Sequence, residues 1–433
     1  MEGRRPLCSL PKAHLHLHVW QAAVRRSTVQ EWLSECDEER LREMRAVAER
    51  RLQEALAELD AATEAERPLL QRNAAKYERR VAALTPPLSV ERVLGPVVEA
   101  EAAPPPPLLG GSGPESEIWD RQFVVSALMD SMPASQGGPA AAERRACLEL
   151  AEDAAAEGIC WMELAGEAFK FAKGEGARIE EGCAAGWRAS LTARREAMAA
   201  YPGVGIGFVV PCPKGEGQAE EARAVLDFFA SEGEREALAG VGKWGREFPG
   251  LEAALGPALA AFRAAGVPLV TLHAGEGYGA TGEKLPPEAY DGAGLVEEAV
   301  AAGAARVGHG IEAARRVETM ALLSERGVCL EVCLYSNWLL GMAPWAPAGA
   351  PHPLTALLEG GVRCCLAADD PTLMGAENGH GLVREYEAAR QVLGLSDAQL
   401  ADLARASIRS CSMPGARQQE VLAGIDAWLA AEP

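Results

Sequence analysis

Residues 267–276 read VPLVTLHAGE, a short apolar run that ends in a histidine, a glycine and an acidic residue. From Gly158 onward, such apolar runs alternate with Ala-rich amphipathic stretches, which is typical of strand–helix units and a parallel sheet. The runs are residues 159–164, 204–210, 238–244, 267–272, 306–308, 328–332 and 362–367. With the strand-like residues 14–19 they make eight, the number of strands that closes a (β/α)8 barrel. The sequence therefore predicts an α/β fold, a TIM-type (β/α)8 barrel.

A long stretch separates the first two predicted strands. Residues 20–158 lie between them, far more than a strand-to-helix connection needs. Within it, residues 38–84 are dense in Arg, Glu, Ala and Leu with few helix breakers, and Leu52, Leu56 and Leu59 recur at helical spacing. This pattern predicts one or two long helices.

Helix breakers follow this stretch. Residues 104–107 are four prolines and residues 110–113 read GGSG, the composition of a stiff piece joined to a flexible linker. We therefore expect one barrel domain over residues 1–433, with a helical and Pro/Gly-rich insertion at residues 35–115. A solvated helical decoration is the favoured interpretation of the insertion. A lid or a partner-binding hairpin is the alternative, without further support from the sequence.

Composition and charge narrow the class of protein. The 433 residues are 48% hydrophobic and 24% charged, as in ordinary soluble globular proteins. The formal net charge of −20 repels phosphate backbones and anionic bilayers, so neither nucleic acid nor a membrane is an expected partner. No run approaches the roughly 18 apolar residues of a spanning helix, and the 11 cysteines show no paired spacing. We expect no disulfide framework, no signal peptide, and a reducing, cytoplasmic location.

Three histidines alternate with leucines in residues 14–18, which read HLHLH. Because the side chains of a strand alternate between its two faces, His14, His16 and His18 point to the same side. Alternate residues lie about 6.6 Å apart along a strand, so His14 and His18 are too far apart to share one metal ion. His16 and His18 are nearer the carboxyl end, where barrel enzymes carry their chemistry, and are the expected ligand pair. His14 is expected to be a hydrogen-bonded core residue.

Two further clusters follow strands five and six. His273 ends an apolar run, and Glu276 lies three residues further on in a glycine-rich loop. His273 can therefore reach a metal at the barrel mouth, while Glu276 is free to exchange protons with a substrate. His309 lies between Gly308 and Gly310, where no neighbouring side chain blocks a ligand.

A pair of carboxylates, Asp369 and Asp370, ends the last apolar run. Adjacent residues cannot both point the same way on a strand, so one can bind metal while the other accepts a hydrogen bond nearby. These clusters fall on strands one, five, six and eight of the predicted barrel. Three imidazoles and one carboxylate suit zinc, which lowers the pKa of a bound water to about 7. His309 and Asp370 would then orient that water and accept its proton.

These residues resemble the motifs of the adenosine deaminase family of metal-dependent aminohydrolases. Residues 10–18 are similar to the opening motif of that family, with His14 where the family has an acidic residue. The other matching segments follow in the family's order: residues 273–276, 307–310, 330–333, 336–337, 352–353, 369–371, 385–386 and 407–410. The likeness covers about residues 7–34 and 145–430 and leaves the insertion outside.

The resemblance implies the roles of the site residues. A single zinc ion would be held by four ligands: His16, His18, His273 and Asp369. Glu276 would donate a proton to the purine ring nitrogen, and His309 and Asp370 would handle the attacking hydroxide. Water adds at C6 of the ring and ammonia leaves, without an organic cofactor.

Two departures from the family concern substrate recognition. Residues 19–21 stand where the family has an acidic residue and a glycine that help to hold the sugar. After strand four, residues 241–247 are shorter than the family's segment and carry Arg246 in place of its aspartate. The expected substrate-binding residues are Trp20, Gly245 and Asp370.

Trp20 replaces a hydrogen-bond acceptor with an indole, which can stack but cannot accept. This change predicts weak discrimination for the sugar hydroxyl, or a substrate altered at that end, such as a nucleotide. Arg25 and Arg26 are candidate charge partners for its phosphate.

The sequence favours zinc-dependent hydrolytic deamination of adenosine or a related 6-aminopurine nucleoside or nucleotide. One alternative is another barrel hydrolase that cleaves a cyclic amide or ester with the same metal. Another is a deaminase-like barrel that has lost catalysis and serves as a binding or growth-regulating protein, with the helices of residues 38–84 as its interaction surface. The full set of predicted ligands and proton-transfer residues argues against this last class. Adenosine, AMP, N6-methyl-AMP and adenine all stay open as substrates.

Overall fold

Eight parallel strands form a barrel in the computed structural model, which describes residues 4–18, 22–64, 67–98, 114–166, 181–245, 247–277, 290–343 and 352–432. The strands are β1 (Lys12–His18), β2 (Ile159–Ala165), β3 (Gly205–Pro211), β4 (Leu238–Lys243), β5 (Leu269–Ala274), β6 (Arg306–His309), β7 (Cys329–Val332) and β8 (Arg363–Leu366). Neighbouring strands pair in sequence order, all in parallel. The predicted TIM-type (β/α)8 barrel is confirmed.

Asp369 joins the last strand back to the first. Its N–H donates to the His16 carbonyl at 3.1 Å, and its carbonyl accepts from the His18 N–H at 3.0 Å. These bonds form a parallel bridge between Asp369 and Leu17. Asp369, three residues after the end of β8, therefore lies directly beside the histidines of β1.

The α-helices lie between and after the strands. They are α1 (Arg26–Ser34), α2 (Glu38–Asp60), α3 (Arg67–Ala83), α4 (Val90–Leu94), α5 (Pro114–Asp130), α6 (Gly138–Ala156), α7 (Glu181–Ala200), α8 (Gln218–Ser231), α9 (Leu251–Ala264), α10 (Gly292–Ala301), α11 (Val317–Arg326), α12 (Leu334–Leu339), α13 (Pro353–Glu359), α14 (Leu382–Gln391), α15 (Asp397–Arg409) and α16 (Gly415–Ala430). None of these helices is both long and apolar enough to span a membrane in the part of the chain that the structure describes.

The predicted strands are all present, and β5 shows the largest shift in position. It begins at Leu269 rather than Val267, because Pro268 has no N–H to contribute to the sheet. It continues to Ala274, with His273 paired to Gly308 and Ala274 paired to His309 of β6. The shift keeps His273 inside the strand and places it at the same level as the end of β6.

The predicted helical insertion is a hairpin of α2 and α3. Asp37 caps α2 by accepting a hydrogen bond from the Arg40 N–H at 2.8 Å. Leu52, Leu56 and Leu59 of α2 are half-buried, and the two helices pack against each other. The Pro- and Gly-rich residues 104–113 lie outside the described residues.

The segment after this hairpin packs into the main hydrophobic core. Val90, Val93 and Leu94 of α4 are buried there together with Val98. The Val98 N–H also donates to the Gly375 carbonyl at 2.9 Å, in the loop after β8. Deleting all of residues 35–115 would therefore disturb the hydrophobic core. Only a shorter part of this predicted insertion can be removed without doing so.

Candidate metal centre and active site

Histidines from three strands converge at the carboxyl ends of the barrel strands. The ring of His16 stacks on that of His273 with centroids 4.5 Å apart, and it meets the edge of His18 at 5.1 Å. The rings of His18 and His273 are 5.4 Å apart, and the ring of His309 is 4.9 Å from that of His16. The structure thus brings together the three imidazoles that the sequence assigns to a metal.

Asp369 completes this cluster. Its Oδ1 lies 3.3 Å from His16 Nε2 and 3.2 Å from His18 Nε2. The residue has a φ of 60°, a conformation that a non-glycine residue rarely adopts, and the barrel-closing hydrogen bonds hold it there. Ser336 Oγ donates to its other oxygen, Oδ2, at 2.8 Å. The carboxylate is therefore aimed at His16 and His18 of β1.

The side chains form overlapping groups of possible metal ligands. His16, His18 and Asp369 each offer a ligand atom within 4.8 Å of the others, and so do His16, His273 and His309. Nε2 of His16 and Nδ1 of His273 are buried without a hydrogen-bond partner, which is unfavourable unless another group meets them. The chemistry and placement of these donors fit a bound metal ion.

Glu331 orients His16 from behind. Its Oε2 accepts a hydrogen bond from His16 Nδ1 at 2.9 Å, which leaves Nε2 facing Asp369, as is usual for metal-binding histidines. Burial lowers the pKa of His16, but the nearby carboxylates of Asp369 and Glu331 outweigh it and raise this pKa to about 10. The same two carboxylates that favour a proton on His16 favour a metal cation at its Nε2.

A buried ion cluster supports Glu331 in turn. Arg306 contacts both Glu331 and Glu163, the latter at 2.7 Å, and all three side chains are inaccessible to solvent. Burial raises the pKa of Glu331, but Arg306 and His16 outweigh it and lower this pKa to about 2. Sequence reasoning missed this cluster. The available signal was a charged residue inside an otherwise apolar strand, which has to be paired when buried.

His309 and Glu276 face each other beside the candidate metal ligands. His309 Nε2 lies 3.4 Å from Glu276 Oε1 and 3.8 Å from Asp369 Oδ2. Its Nδ1 lies 3.3 Å from the side-chain nitrogen of Asn337. Burial lowers the pKa of His309 to about 3, so the ring is neutral near pH 7. Two of the three predicted proton-transfer residues are therefore in contact.

Gly308 makes room for the histidines. A Cβ atom at this position would lie 2.4 Å from Cδ2 of His273 and 2.9 Å from Cε1 of His16, closer than van der Waals contact permits. The sequence pattern correctly marked this glycine as a place of close approach. The groups that approach it are the two imidazoles.

The predicted substrate-binding residues are described in part. Asp370 is buried beside Asp369, and Gly245 lies just after β4 with a φ of 70°. Trp20 and Arg246 lie outside the described residues. Sequence reasoning missed Lys243 at the end of β4, whose Nζ donates to the Gly245 carbonyl at 3.3 Å. Burial lowers the pKa of Lys243 to about 8, although nearby Glu247 and Glu276 act against this.

Arg25 and Arg26, the candidate phosphate partners, lie beside carboxylates. Arg25 Nη2 lies 2.6 Å from Asp153 and 2.7 Å from Glu152. Arg26 is buried, with Nη2 3.7 Å from Glu91. A phosphate group would therefore have to compete with these carboxylates for Arg25 and Arg26.

His14 lies in the core beneath the metal ligands, as its spacing predicts. Its Nε2 accepts a hydrogen bond from the Ala368 N–H at 3.0 Å, and its Nδ1 lies 2.9 Å from Nδ1 of His380. Nε2 of His380 in turn lies 2.9 Å from the Leu150 carbonyl. The Ala368 N–H can only donate. All three hydrogen bonds of this series therefore form when His14 carries its proton on Nδ1 and His380 carries its proton on Nε2.

Comparison with known proteins places the chain in a family. The adenosine deaminase family model matches residues 138–428. A putative adenosine/adenine deaminase of Streptomyces coelicolor is 42% identical over 126 residues, 29% of this chain and 35% of that protein. An adenine deaminase of Rhizobium rhizogenes is 31% identical over 195 residues, 45% of this chain and 54% of that protein. The chain thus matches between about a third and about half of the length of these curated relatives.

Solved structures share the fold. An adenine deaminase from Arthrobacter aurescens superposes with a TM-score of 0.62 at 20% identity, covering 97% of this chain and 99% of that one. An amidohydrolase from Burkholderia ambifaria with bound zinc gives a TM-score of 0.59 at 21% identity, covering 98% and 94%. Since the family model spans well over half of the sequence and includes the residues of β5 to β8 that form the site, the chain belongs to the adenosine deaminase family.

Proposed function

We propose that the protein is a zinc-dependent aminohydrolase that replaces the 6-amino group of a purine by oxygen and releases ammonia. Adenosine or a closely related 6-aminopurine is the proposed substrate. The observation that carries this proposal is the convergence of metal-binding and proton-transfer side chains at one end of the barrel, beside one another and nearly all buried. They are His16, His18, His273, Glu276, His309, Asp369 and Asp370.

Zinc is the proposed metal because three imidazoles and a carboxylate are donors that it favours. The residues that would hold it are His16, His18, His273 and Asp369. When bound, it would supply a Lewis acid that makes water at the site easier to deprotonate. The bound zinc of the similar amidohydrolase from Burkholderia ambifaria supports this choice.

The remaining residues divide the proton transfers between them. Glu276 would donate its proton to the ring nitrogen next to C6, which makes that carbon more electrophilic. His309, neutral because burial lowers its pKa to about 3, would hold the attacking water and exchange a proton at Nε2. Asp370 would accept a second hydrogen bond from the same water. In the balanced reaction, the water oxygen bonds to C6, the C6–N bond breaks, and the amino group leaves as ammonia.

The cationic groups of Arg25, Arg26 and Lys243, all within the described residues, support a substrate without phosphate. Arg25 and Arg26 are paired with carboxylates, and Lys243 lies close to the carboxylates Glu247 and Glu276. Adenosine and adenine are therefore favoured over AMP. The names of the similar proteins, adenine deaminase and adenosine/adenine deaminase, agree with this order.

Ammonia release from a substrate panel tests the proposal. The zinc-loaded protein is incubated with adenine, adenosine, deoxyadenosine, AMP and N6-methyl-AMP, and with a cyclic amide and an ester as alternative substrates. Products are also separated by chromatography, because N6-methyl-AMP would release methylamine and the amide and the ester would release no ammonia. We expect ammonia from adenine or adenosine. Hydrolysis of the amide or ester alone would replace the proposal with another barrel hydrolase, and no turnover of any substrate would favour a non-catalytic binding protein.

A further inference from the structure

The turn that carries Glu276 is held by a second carboxylate, that of Glu247. Glu247 Oε1 accepts a hydrogen bond from the Glu276 N–H at 3.0 Å, and Oε2 accepts from the Gly277 N–H at 3.4 Å. Glu247 is 3% exposed and Glu276 is 6% exposed. A buried carboxylate that receives two backbone N–H groups makes strong, charge-assisted hydrogen bonds.

The turn depends on outside support because its backbone is unusual. Gly275 has a φ of 71° and Gly277 a φ of 120°, both in the region that favours glycine. A Cβ on Gly275 would lie 2.7 Å from Val296, and one on Gly277 would lie 2.7 Å from Met342. Glu276 therefore stands between two glycines that impose little conformational preference of their own.

The other contacts of the turn anchor its start and its end, whereas Glu247 holds the residue between them. The Gly275 carbonyl accepts from the Glu312 N–H at 3.0 Å, which anchors the start of the turn. The Tyr290 hydroxyl accepts from the Gly277 N–H at 3.2 Å, which anchors its end. The hydrogen bond to Glu247 engages the backbone N–H of Glu276 itself.

We propose that Glu247 is a positioning residue for the deamination: its carboxylate fixes the backbone of Glu276 and so sets the Glu276 carboxylate opposite His309. This inference rests on the proposed function, in which Glu276 donates a proton to the substrate. Misplacement of a catalytic group by about 1 Å can lower a rate about 10²-fold. Glu247 lies after β4, in the segment that departs from the family pattern, so it also ties that segment to the proton donor.

Two substitutions of Glu247 separate this role from simple packing, and the first keeps the size of the side chain. In Glu247→Gln the amide offers one acceptor, and its NH2 group would face the second backbone N–H. In Glu247→Ala both acceptors are lost. With the better substrate of adenine and adenosine, we expect kcat to fall about 10-fold in Glu247→Gln and about 100-fold in Glu247→Ala. The KM, the metal content per chain and the melting temperature should change little in Glu247→Gln.

Glu298 offers a control. Its Oε2 accepts from two consecutive backbone N–H groups, those of Gly250 at 2.6 Å and Leu251 at 3.3 Å, whereas Glu247 uses a separate oxygen for each N–H group. Glu298 is half-buried, and within the described residues these hydrogen bonds hold the start of α9 and not the turn of Glu276. Glu298→Gln should leave kcat within about twofold of the wild type. An equal loss of kcat in both variants would reduce Glu247 to a general structural role and overturn the inference.

A double-mutant comparison gives the decisive readout. If Glu247 acts through Glu276, then Glu247→Ala should lower kcat strongly in the wild type and hardly at all when Glu276 is already Gln, because residues that act as a unit are not additive. Independent, multiplicative losses would contradict the proposal. A wild type without turnover of any 6-aminopurine would instead refute the proposed function, so the two failures are distinguishable.

Discussion

At the scale of single residues, the account depends on which side chains hold the metal. Replacing His16, His18, His273 or Asp369 by Ala should lower metal content well below one ion per chain, because each removes a donor from a closely spaced group. His14→Ala should leave metal content near one. It should lower the melting temperature, since the Ala368 N–H and His380 would each lose a buried partner. Metal analysis with thermal unfolding checks both. If His14→Ala lost as much metal as His16→Ala, then His14 would be a metal ligand and the predicted pair on β1 would be wrong.

A second prediction at this scale concerns Glu276. Glu276→Gln keeps the shape of the side chain and removes its proton, so it should retain metal and lose about 10²- to 10⁴-fold in kcat. Steady-state kinetics with ammonia detection, on protein of verified metal content, measures the effect. Near-normal turnover would remove Glu276 from the mechanism.

At the scale of elements, the spacing between β5 and β6 depends on Gly308. In Gly308→Ala the added methyl group meets His273 and His16, so the two rings cannot keep their present positions. We expect reduced metal affinity in a protein that still folds. Gly256→Ala in α9 is the control, because a Cβ there approaches no atom closer than 3.9 Å. A metal titration that is indistinguishable among the wild type and both variants would contradict this account of Gly308.

The contact of α6 with α7 predicts a pH effect on stability. Glu143 of α6 is buried, and burial raises its pKa from 4.5 to about 7, although Ser190 of α7 donates a hydrogen bond to it. An acid whose folded-state pKa is raised binds more protons when folded, so stability falls as the pH rises from about 4.5 to about 7 and is lowest above that window. Glu143→Gln, which is neutral at every pH, should remove this part of the slope. Melting temperatures of both proteins between pH 4.5 and 8 test it, and parallel curves would show that Glu143 does not titrate in this window.

At the scale of the whole molecule, the hairpin of α2 and α3 should be dispensable only in part. Replacing residues 52–76 by a short linker removes Leu52, Leu56 and Leu59 together with the facing part of α3. It keeps Met44, Ala48 and Leu84, which belong to the main core. We expect this variant to be soluble and to bind metal. Removing residues 38–111 would also delete the buried residues of α4 and should give aggregation. Equal solubility of the two variants, measured by size-exclusion chromatography, would contradict this division.

The sequence predicted the parts of the fold and site that rest on local periodicity. The seven apolar runs appear as strands because a buried parallel strand requires a run of apolar residues, and the alternating residues 14–18 lie in β1 as predicted. The spacing along β1 also predicted the hydrogen-bonded core position of His14. The buried cluster of Arg306, Glu163 and Glu331 escaped prediction because its members come from three separate strands, and only the closed barrel brings them together. The partners of Arg25 were equally non-local, since Asp153 lies more than a hundred positions away. Pairing of this kind depends on tertiary structure and leaves no periodic pattern.

The central claim is that the barrel adds water to C6 of a purine. It is tested most directly by running the reaction of the zinc-loaded protein in water enriched in ¹⁸O and analysing the products by mass spectrometry. The account predicts one ¹⁸O atom in each 6-oxopurine formed and one ammonia released per purine converted. A protein that holds one zinc ion per chain, yet leaves adenine, adenosine and every other 6-aminopurine of the panel unlabelled and unchanged, would contradict it.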